Sequence, residues 1–107
     1  MNNFFESEVV QKELQSMQDL YLEINKMGLM LNAVEKRAQL DKMMRLIDLQ
    51  QTMFMRVTLS DDPMAKQLVS QVRNAAQMVG MSPNDITPQF YDSLRDNVQK
   101  MIDQLPT

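Results

Sequence analysis

Hydrophobic residues recur at helical spacing in four segments of this chain. In the first segment the apolar positions follow one another at intervals of three or four residues, which is typical of one face of an α-helix. They are Val10, Leu14, Met17, Tyr21 and Ile24. Gly28 breaks the pattern, so the sequence predicts a first helix over residues 7–27.

The second segment opens with a capping-box sequence, Asn32-Ala-Val-Glu35. In such a box the first side chain accepts a hydrogen bond from the backbone N–H of the acidic residue, and the acidic side chain accepts one from the backbone N–H of the cap. We therefore expect a long second helix over residues 33–58, about 39 Å at 1.5 Å per residue. A continuous helix from Gly28 is the alternative and gives nearly the same topology.

Two cap-and-proline sequences, Asp62-Pro63 and Thr87-Pro88, mark the starts of two more helices. Proline fits the first helical position because the missing N–H would have no partner there. The third helix is predicted over residues 63–79, ending before Gly80, and the fourth over residues 88–104. The predicted apolar stripe of the third helix consists of Ala65, Leu68, Val69, Val72, Ala76 and Val79. The predicted buried face of the fourth helix consists of Phe90, Leu94, Val98, Met101 and Leu105.

The composition favours helix over strand. Among the 107 residues there are only two glycines, and leucine, methionine, glutamine, lysine and glutamate outnumber the β-branched residues. Hydrophobic residues make up 44% of the chain, which is close to the globular average and argues against disorder. The expected fold is an all-α, four-helix bundle-like single domain with a long central second helix.

The apolar surface of the second helix is unusually wide. At 100° per residue its apolar span reaches roughly 240°, whereas an ordinary surface helix shows a stripe of about 100° or somewhat more. Such a helix has to be covered from at least two sides. The other three helices of the chain can provide that cover. Alternatively, part of it is another chain, either a second copy or a different partner.

Methionine on both flanks of this helix favours a partner contact, because its flexible side chain adapts to varied surfaces. The predicted partner-binding residues are Met44, Met55, Leu46, Leu49, Met53, Phe4 and Phe5. Met44 and Met55 lie near the polar boundary, where burial by the chain's own helices is least assured. Phe4 and Phe5 form a second contact, or they pack as a staple onto the first helix. A two-fold homodimer is expected because that symmetry is the commonest.

The residue types that carry most enzymatic and metal chemistry are missing. The chain has twelve methionines but no histidine, cysteine or tryptophan. It therefore lacks the usual base that titrates near neutrality, a thiolate nucleophile, and nitrogen or sulfur ligands for zinc. We expect no catalytic residues, no cofactor, no metal site and no enzymatic activity.

Two pairs of acidic residues resemble parts of metal sites. Asp61 and Asp62 are adjacent, but no further oxygen ligands follow at calcium-loop spacing, so a helix cap is the better interpretation. Asp92 and Asp96 lie one turn apart, but carboxylate-bridged sites in helical bundles also use histidine. A solvent-exposed face is the simpler interpretation of this second pair.

The charge distribution offers an alternative to protein binding. The second helix carries five basic and three acidic residues, whereas the chain as a whole has a net charge of −3. Its basic face either docks on the acidic first helix or binds nucleic acid. Nucleic-acid affinity rests mostly on a concentrated positive surface, which this acidic chain lacks. A nucleic-acid-associated transcription regulator and a structural subunit are the alternatives.

The N-terminal segment does not have the pattern of a targeting sequence. The first ten residues hold two acidic residues and no basic one, unlike a signal or transit peptide. No apolar stretch approaches the roughly 20 residues that span a bilayer. The expected partners therefore do not include a membrane, and cytoplasm is the expected compartment.

Three short motifs, in order along the chain, resemble those of a known family. They are Phe4-Phe5-Glu-Ser-Glu-Val-Val-Gln11, then Met53-Phe54-Met55-Arg56 with Leu59-Ser60-Asp61-Asp62, then Val79-Gly80-Met81-Ser82-Pro83. The chain thus resembles the domain-of-unknown-function 1825 family of cyanobacteria and their phages. The resemblance implies a small, helical, cytoplasmic protein, but no activity and no site residues. Residues 29–34 depart from the family pattern, which usually has a glycine-containing, more polar connector.

These observations together favour a non-enzymatic role. We expect a protein-protein interaction or regulatory protein. If the gene is carried by a phage, the expected partner is a host protein complex in the host cytoplasm.

Overall fold

The computed structural model of the chain describes residues 4–80, 82 and 85–106, without the side chain of Ala76. These residues form a short 3₁₀ turn, Phe4–Glu6, and four α-helices, and they include no strand. The helices are α1 (Glu8–Met27), α2 (Ala33–Leu59), α3 (Pro63–Met78) and α4 (Pro88–Asp103). The predicted all-α class is confirmed, and each helix end lies within one residue of its expected position.

The start of α2 has the predicted capping box. Asn32 Oδ1 accepts a hydrogen bond of 2.8 Å from the Glu35 N–H, and Glu35 Oε1 accepts one of 3.3 Å from the Asn32 N–H. Before it, Gly28 ends α1 with φ 75°, a conformation that glycine adopts without steric cost. The chain therefore breaks between α1 and α2, and a continuous helix from Gly28 is excluded.

The long helix α2 is the centre of the fold. The other three helices each pack along it and pack little on one another. Leu40 and Ile47 meet Val98 and Ile102 of α4. At the far end, Met53 and Val57 meet Val10 of α1 and Ala65 of α3. The wide apolar surface of α2 is therefore covered on several sides by helices of its own chain.

The buried face of α4 differs from the predicted one at two positions. Ile102 is buried in place of Met101, whose side chain is 44% exposed. Tyr91 packs on the core in place of Phe90. The predicted and the observed faces of α4 both contain Leu94 and Val98. They differ by one residue at each of the other two positions. Contact with α2 selects the second face, and Phe90 is left at the edge of that interface.

Polar side chains of α2 hold α1 in place. Arg56 donates to both carboxylate oxygens of Glu13 at 2.8–3.2 Å, and Lys42 Nζ lies 3.1 Å from Glu23 Oε2. The buried Gln39 side chain donates to the Gly28 carbonyl oxygen at 3.0 Å. Carbonyls at a helix C-terminus have no partner within the helix. Gln39 thus satisfies the end of α1 from inside the core.

Candidate functional site

An apolar groove opens at the surface where α1, α3 and α4 spread apart over α2. Its volume is about 340 Å³, near the lower end of the range of about 300–1,000 Å³ for ligand pockets. Met53, Phe54 and Val57 of α2 form its buried floor. Its walls are Met17 and Gln50, then Leu68, Val69 and Val72 of α3, then Phe90, Tyr91 and Leu94 of α4. We call this feature the apolar groove.

An aromatic cluster forms the α4 wall of the apolar groove. The ring centroids of Phe54 and Tyr91 lie 5.7 Å apart, and Phe90 packs edge-on to Tyr91 at 5.5 Å. Aromatic pairs at such distances and angles are worth about 0.5–1.5 kcal/mol beyond the burial of their surface. Contacts within the chain therefore hold this wall in shape.

The polar side chains that line the apolar groove are Gln50 and Tyr91. Gln50 Nε2 donates a hydrogen bond of 2.5 Å to Tyr21 Oη. Burial raises the pKa of Tyr91 above its ordinary value of 10.0, and the nearby Tyr21 raises this pKa further. No Asp, Glu, Lys or Arg stands among the described residues that line the groove. The groove is thus suited to apolar side chains with a few neutral hydrogen-bonding groups at the edge.

The other flank of α3 is basic. A second, shallower groove of about 260 Å³ lies there, and it shares Val57 and Val69 with the apolar groove. Lys66 and Arg73, seven residues apart and so on one side of α3, also line it. Neither makes an ion pair with a described residue, and α3 itself contains no acidic residue. We call these two side chains the basic flank.

The predicted partner-binding residues do not form one surface. Met53 is in the floor of the apolar groove, and Leu46, seven residues earlier on the same side of α2, is buried. Met44 packs against the cluster between α2 and α4, and Leu49 is half-buried. Met55 remains 40% exposed outside the groove.

Phe4 and Phe5 pack within the chain. Both contact the cluster of Val10, Met53, Val57 and Ala65, and their rings meet edge-to-face at 5.0 Å. This agrees with the expectation that they pack against their own fold. Both side chains are half-buried, so only part of each ring is accessible at the surface.

The sequence did not identify most of the apolar groove. The spacing of apolar residues in α3 and α4 predicts which side of each helix is apolar, but not whether that side is covered. Val72 belongs to the predicted stripe of α3, yet it is 38% exposed because α3 spreads away from α1 and α4. The apolar stripe of α3 is long and continues to Val79, which is 76% exposed. This length was a sign that part of the stripe is left uncovered.

One residue of each acidic pair, Asp62 in the first and Asp92 in the second, has structural partners. Asp62 Oδ1 accepts a hydrogen bond of 2.9 Å from the Met64 N–H at the start of α3, which confirms the cap. Asp92 Oδ1 accepts hydrogen bonds from Gln51 at 3.0 Å and Arg95 at 2.9 Å. Those bonds lower the pKa of Asp92, with Gln51 the larger contributor. Within the described residues, no cluster of three acidic side chains is arranged to hold a metal ion.

The basic side chains of α2 are largely paired inside the chain. Arg37 pairs with Asp41, and Lys42 and Arg56 pair with glutamates of α1. Lys36 donates a hydrogen bond to the neutral Gln39, and neither Lys36 nor Arg45 makes an ion pair with a described residue. Pairing with α1 was one of the two expectations for this face, and three of its five positive charges are neutralised in this way or within α2.

Comparison with known proteins gives a family without an assigned activity. Residues 2–105 match the model of a protein family described as Domain of unknown function (DUF1825). No curated protein and no solved structure matches the chain. Among the described helices, none is both long and apolar enough to cross a membrane.

Proposed function

We propose that this chain, which belongs to the DUF1825 family, is a non-enzymatic protein that binds another protein through the apolar groove. The observation that carries the proposal is an uncharged groove with a packed aromatic wall that stays open at the surface. Exposed apolar patches rimmed by polar residues mark sites of protein interaction. Methionine in the groove, at Met17 and Met53, adds adaptability to differently shaped partner side chains.

The biological setting of this proposal comes from the resemblance to cyanobacterial and phage proteins. In that setting the partner is a protein of the cyanobacterial cytoplasm, and binding regulates it. A phage-encoded copy would then modulate a host complex. The homodimer remains a prediction, since the α2 surface that suggested it is covered by helices of the same chain. Nucleic-acid binding through α2 has less support, because most of its basic side chains are paired.

A capture experiment with matched variants tests the proposal. Val72→Lys places a charge in the apolar groove, while Val79→Lys makes the same change at an exposed site outside its lining. Both positions are at least partly exposed, so both variants should unfold within about 1 kcal/mol of the wild type.

The wild type and Val79→Lys should capture the same protein from a cyanobacterial lysate, and Val72→Lys should lose it. If all three proteins capture the same partner equally, the groove is not the binding site. Loss of capture in both variants would contradict the assignment as well.

A further inference from the structure

We infer that the occupant of the apolar groove is an amphipathic helix with acidic residues beside its apolar face. This inference rests on the proposed function and names the chemistry of the partner. It is based on two adjacent surfaces of α3. One is the apolar wall of Leu68, Val69 and Val72, and the other is the basic flank of Lys66 and Arg73. A partner segment seated on α3 meets both features together.

The fold favours a helix over an extended peptide as the occupant. An extended segment that adds a strand needs the open edge of a β-sheet, and the described residues contain no strand. A helix instead inserts side chains spaced three and four residues apart into an apolar groove. The walls from α1, α3 and α4 surround the groove with helices, which is the setting in which such packing occurs.

The charges around the groove favour acidic residues on that helix. Other charged side chains near the groove are already paired, Arg56 with Glu13 and Arg95 with Asp48 and Asp92. The basic flank is the exception, since Lys66 and Arg73 have no acidic partner among the described residues. Two positive charges seven residues apart on one side of α3 match two carboxylates separated by two turns of a partner helix.

A second copy of the chain fits the groove less well. A two-fold contact through α3 brings the basic flank of one copy towards that of the other, which opposes association. Inserting the acidic α1 of one copy into the groove of the next gives a head-to-tail contact, and such contacts form open chains unless the rotation closes. The structure therefore points to a different protein as the source of the helix.

Two designed peptides serve as probes. Each has about 20 residues, a helix of about 30 Å, with leucines at positions i, i+3, i+4 and i+7. One carries glutamates and the other lysines beside the leucines, with all else equal. Their affinities are measured by fluorescence anisotropy for the wild type, for Val72→Lys, and for the double variant Lys66→Glu with Arg73→Glu. Light scattering on the protein alone reports its mass.

The glutamate peptide should bind the wild type on the order of tenfold more tightly than the lysine peptide at about 0.05 M salt, and the gap should narrow at about 1 M. The double variant should reverse the preference, and Val72→Lys should weaken both peptides. If both peptides bind equally and Val72→Lys blocks both, binding in the apolar groove is supported, but the inferred preference for acidic residues is wrong. If neither binds more tightly than about 1 mM, helix binding in the groove is itself wrong.

Two further outcomes contradict the inference. A dimer mass that Val72→Lys returns to 12.5 kDa would identify a second copy as the occupant. Tight binding of duplex DNA or of anionic lipid vesicles that is abolished in the double variant but unchanged in Val72→Lys would make the basic flank a general anion-binding surface instead.

Discussion

Phe4 and Asp62 are joined by a hydrogen bond of 2.7 Å from the Phe4 backbone N–H to Asp62 Oδ2. The other carboxylate oxygen of Asp62 caps α3 through the Met64 N–H. One side chain therefore fixes the 3₁₀ turn at the beginning of the chain to the start of a helix 58 residues later. Phe4 and Phe5 are thereby held against the cluster beneath the apolar groove.

Asp62→Ala should destabilise the protein. It removes a helix cap worth about 0.5–2 kcal/mol and a charge-assisted hydrogen bond, so we expect a loss of about 1–3 kcal/mol. Urea unfolding followed by circular dichroism measures it. Asp61→Ala is the matched control, because Asp61 is exposed and should change the free energy of unfolding by less than about 0.5 kcal/mol. Equal effects of the two variants would show that Asp62 is not a fixed link.

Gln39→Leu should destabilise the contact between α1 and α2. The Gln39 amide donates to the carbonyl oxygens of Gly28 and Ile24, and losing such a hydrogen bond costs about 0.5–1.5 kcal/mol. The exposed Gln18 provides the control Gln18→Leu, which should leave the free energy of unfolding nearly unchanged. Hydrogen exchange of the last turn of α1 gives a second readout. Exchange there should accelerate in Gln39→Leu, and unchanged protection would contradict this role.

The contact between α2 and α4 should depend on pH through Asp92. Its pKa lies below the ordinary value of 3.8 because Gln51 and then Arg95 donate to its carboxylate. The resulting stability is present above that ordinary value and is lost as the pH falls through the lowered pKa. Carbon NMR of the carboxyl group should show the Asp92 pKa rising in Gln51→Ala and in Arg95→Met. A midpoint that stays the same in both variants would contradict the assigned cause.

Met44→Ala and Met55→Ala should separate core packing from surface exposure. Met44 packs on the cluster of Leu40, Ile47, Val98 and Ile102, whereas Met55 is 40% exposed. Truncating a fully buried methionine costs about 2–5 kcal/mol, so the half-buried Met44 should cost about 1–2 kcal/mol and Met55 less than about 0.5 kcal/mol. Calorimetry measures both variants. The opposite order would mean that Met55 is buried by an unrecognised contact in solution.

Helix limits followed from the sequence because local chemistry sets them. A capping box at Asn32, a glycine at Gly28 and a proline at Pro63 act within a few residues, and all three stand where a helix begins or ends in the structure. The apolar groove could not be predicted in the same way. It depends on how far α3 and α4 spread from α1, and helical spacing carries no information on such angles.

The sequence predicts that Met101 is buried, whereas Ile102 is buried in the structure, and this difference has the same cause. Both residues border the apolar side of α4, and only the direction from which α2 approaches decides which one is buried. Likewise the bond between Phe4 and Asp62 joins two segments whose separation is set by the tertiary fold. Partner-binding residues inferred from α2 alone therefore include Leu46, which is buried in the core.

Methyl NMR of the methionines tests groove binding most directly, because these side chains are spread over the whole protein. Met17 and Met53 line the apolar groove, while Met30 and Met78 are exposed and are not part of its lining. With carbon-13 methyl labels, addition of the glutamate peptide should shift the signals of Met17 and Met53 and leave those of Met30 and Met78 in place. Shifts at Met30 or Met78 with none at Met17 and Met53 would contradict the account.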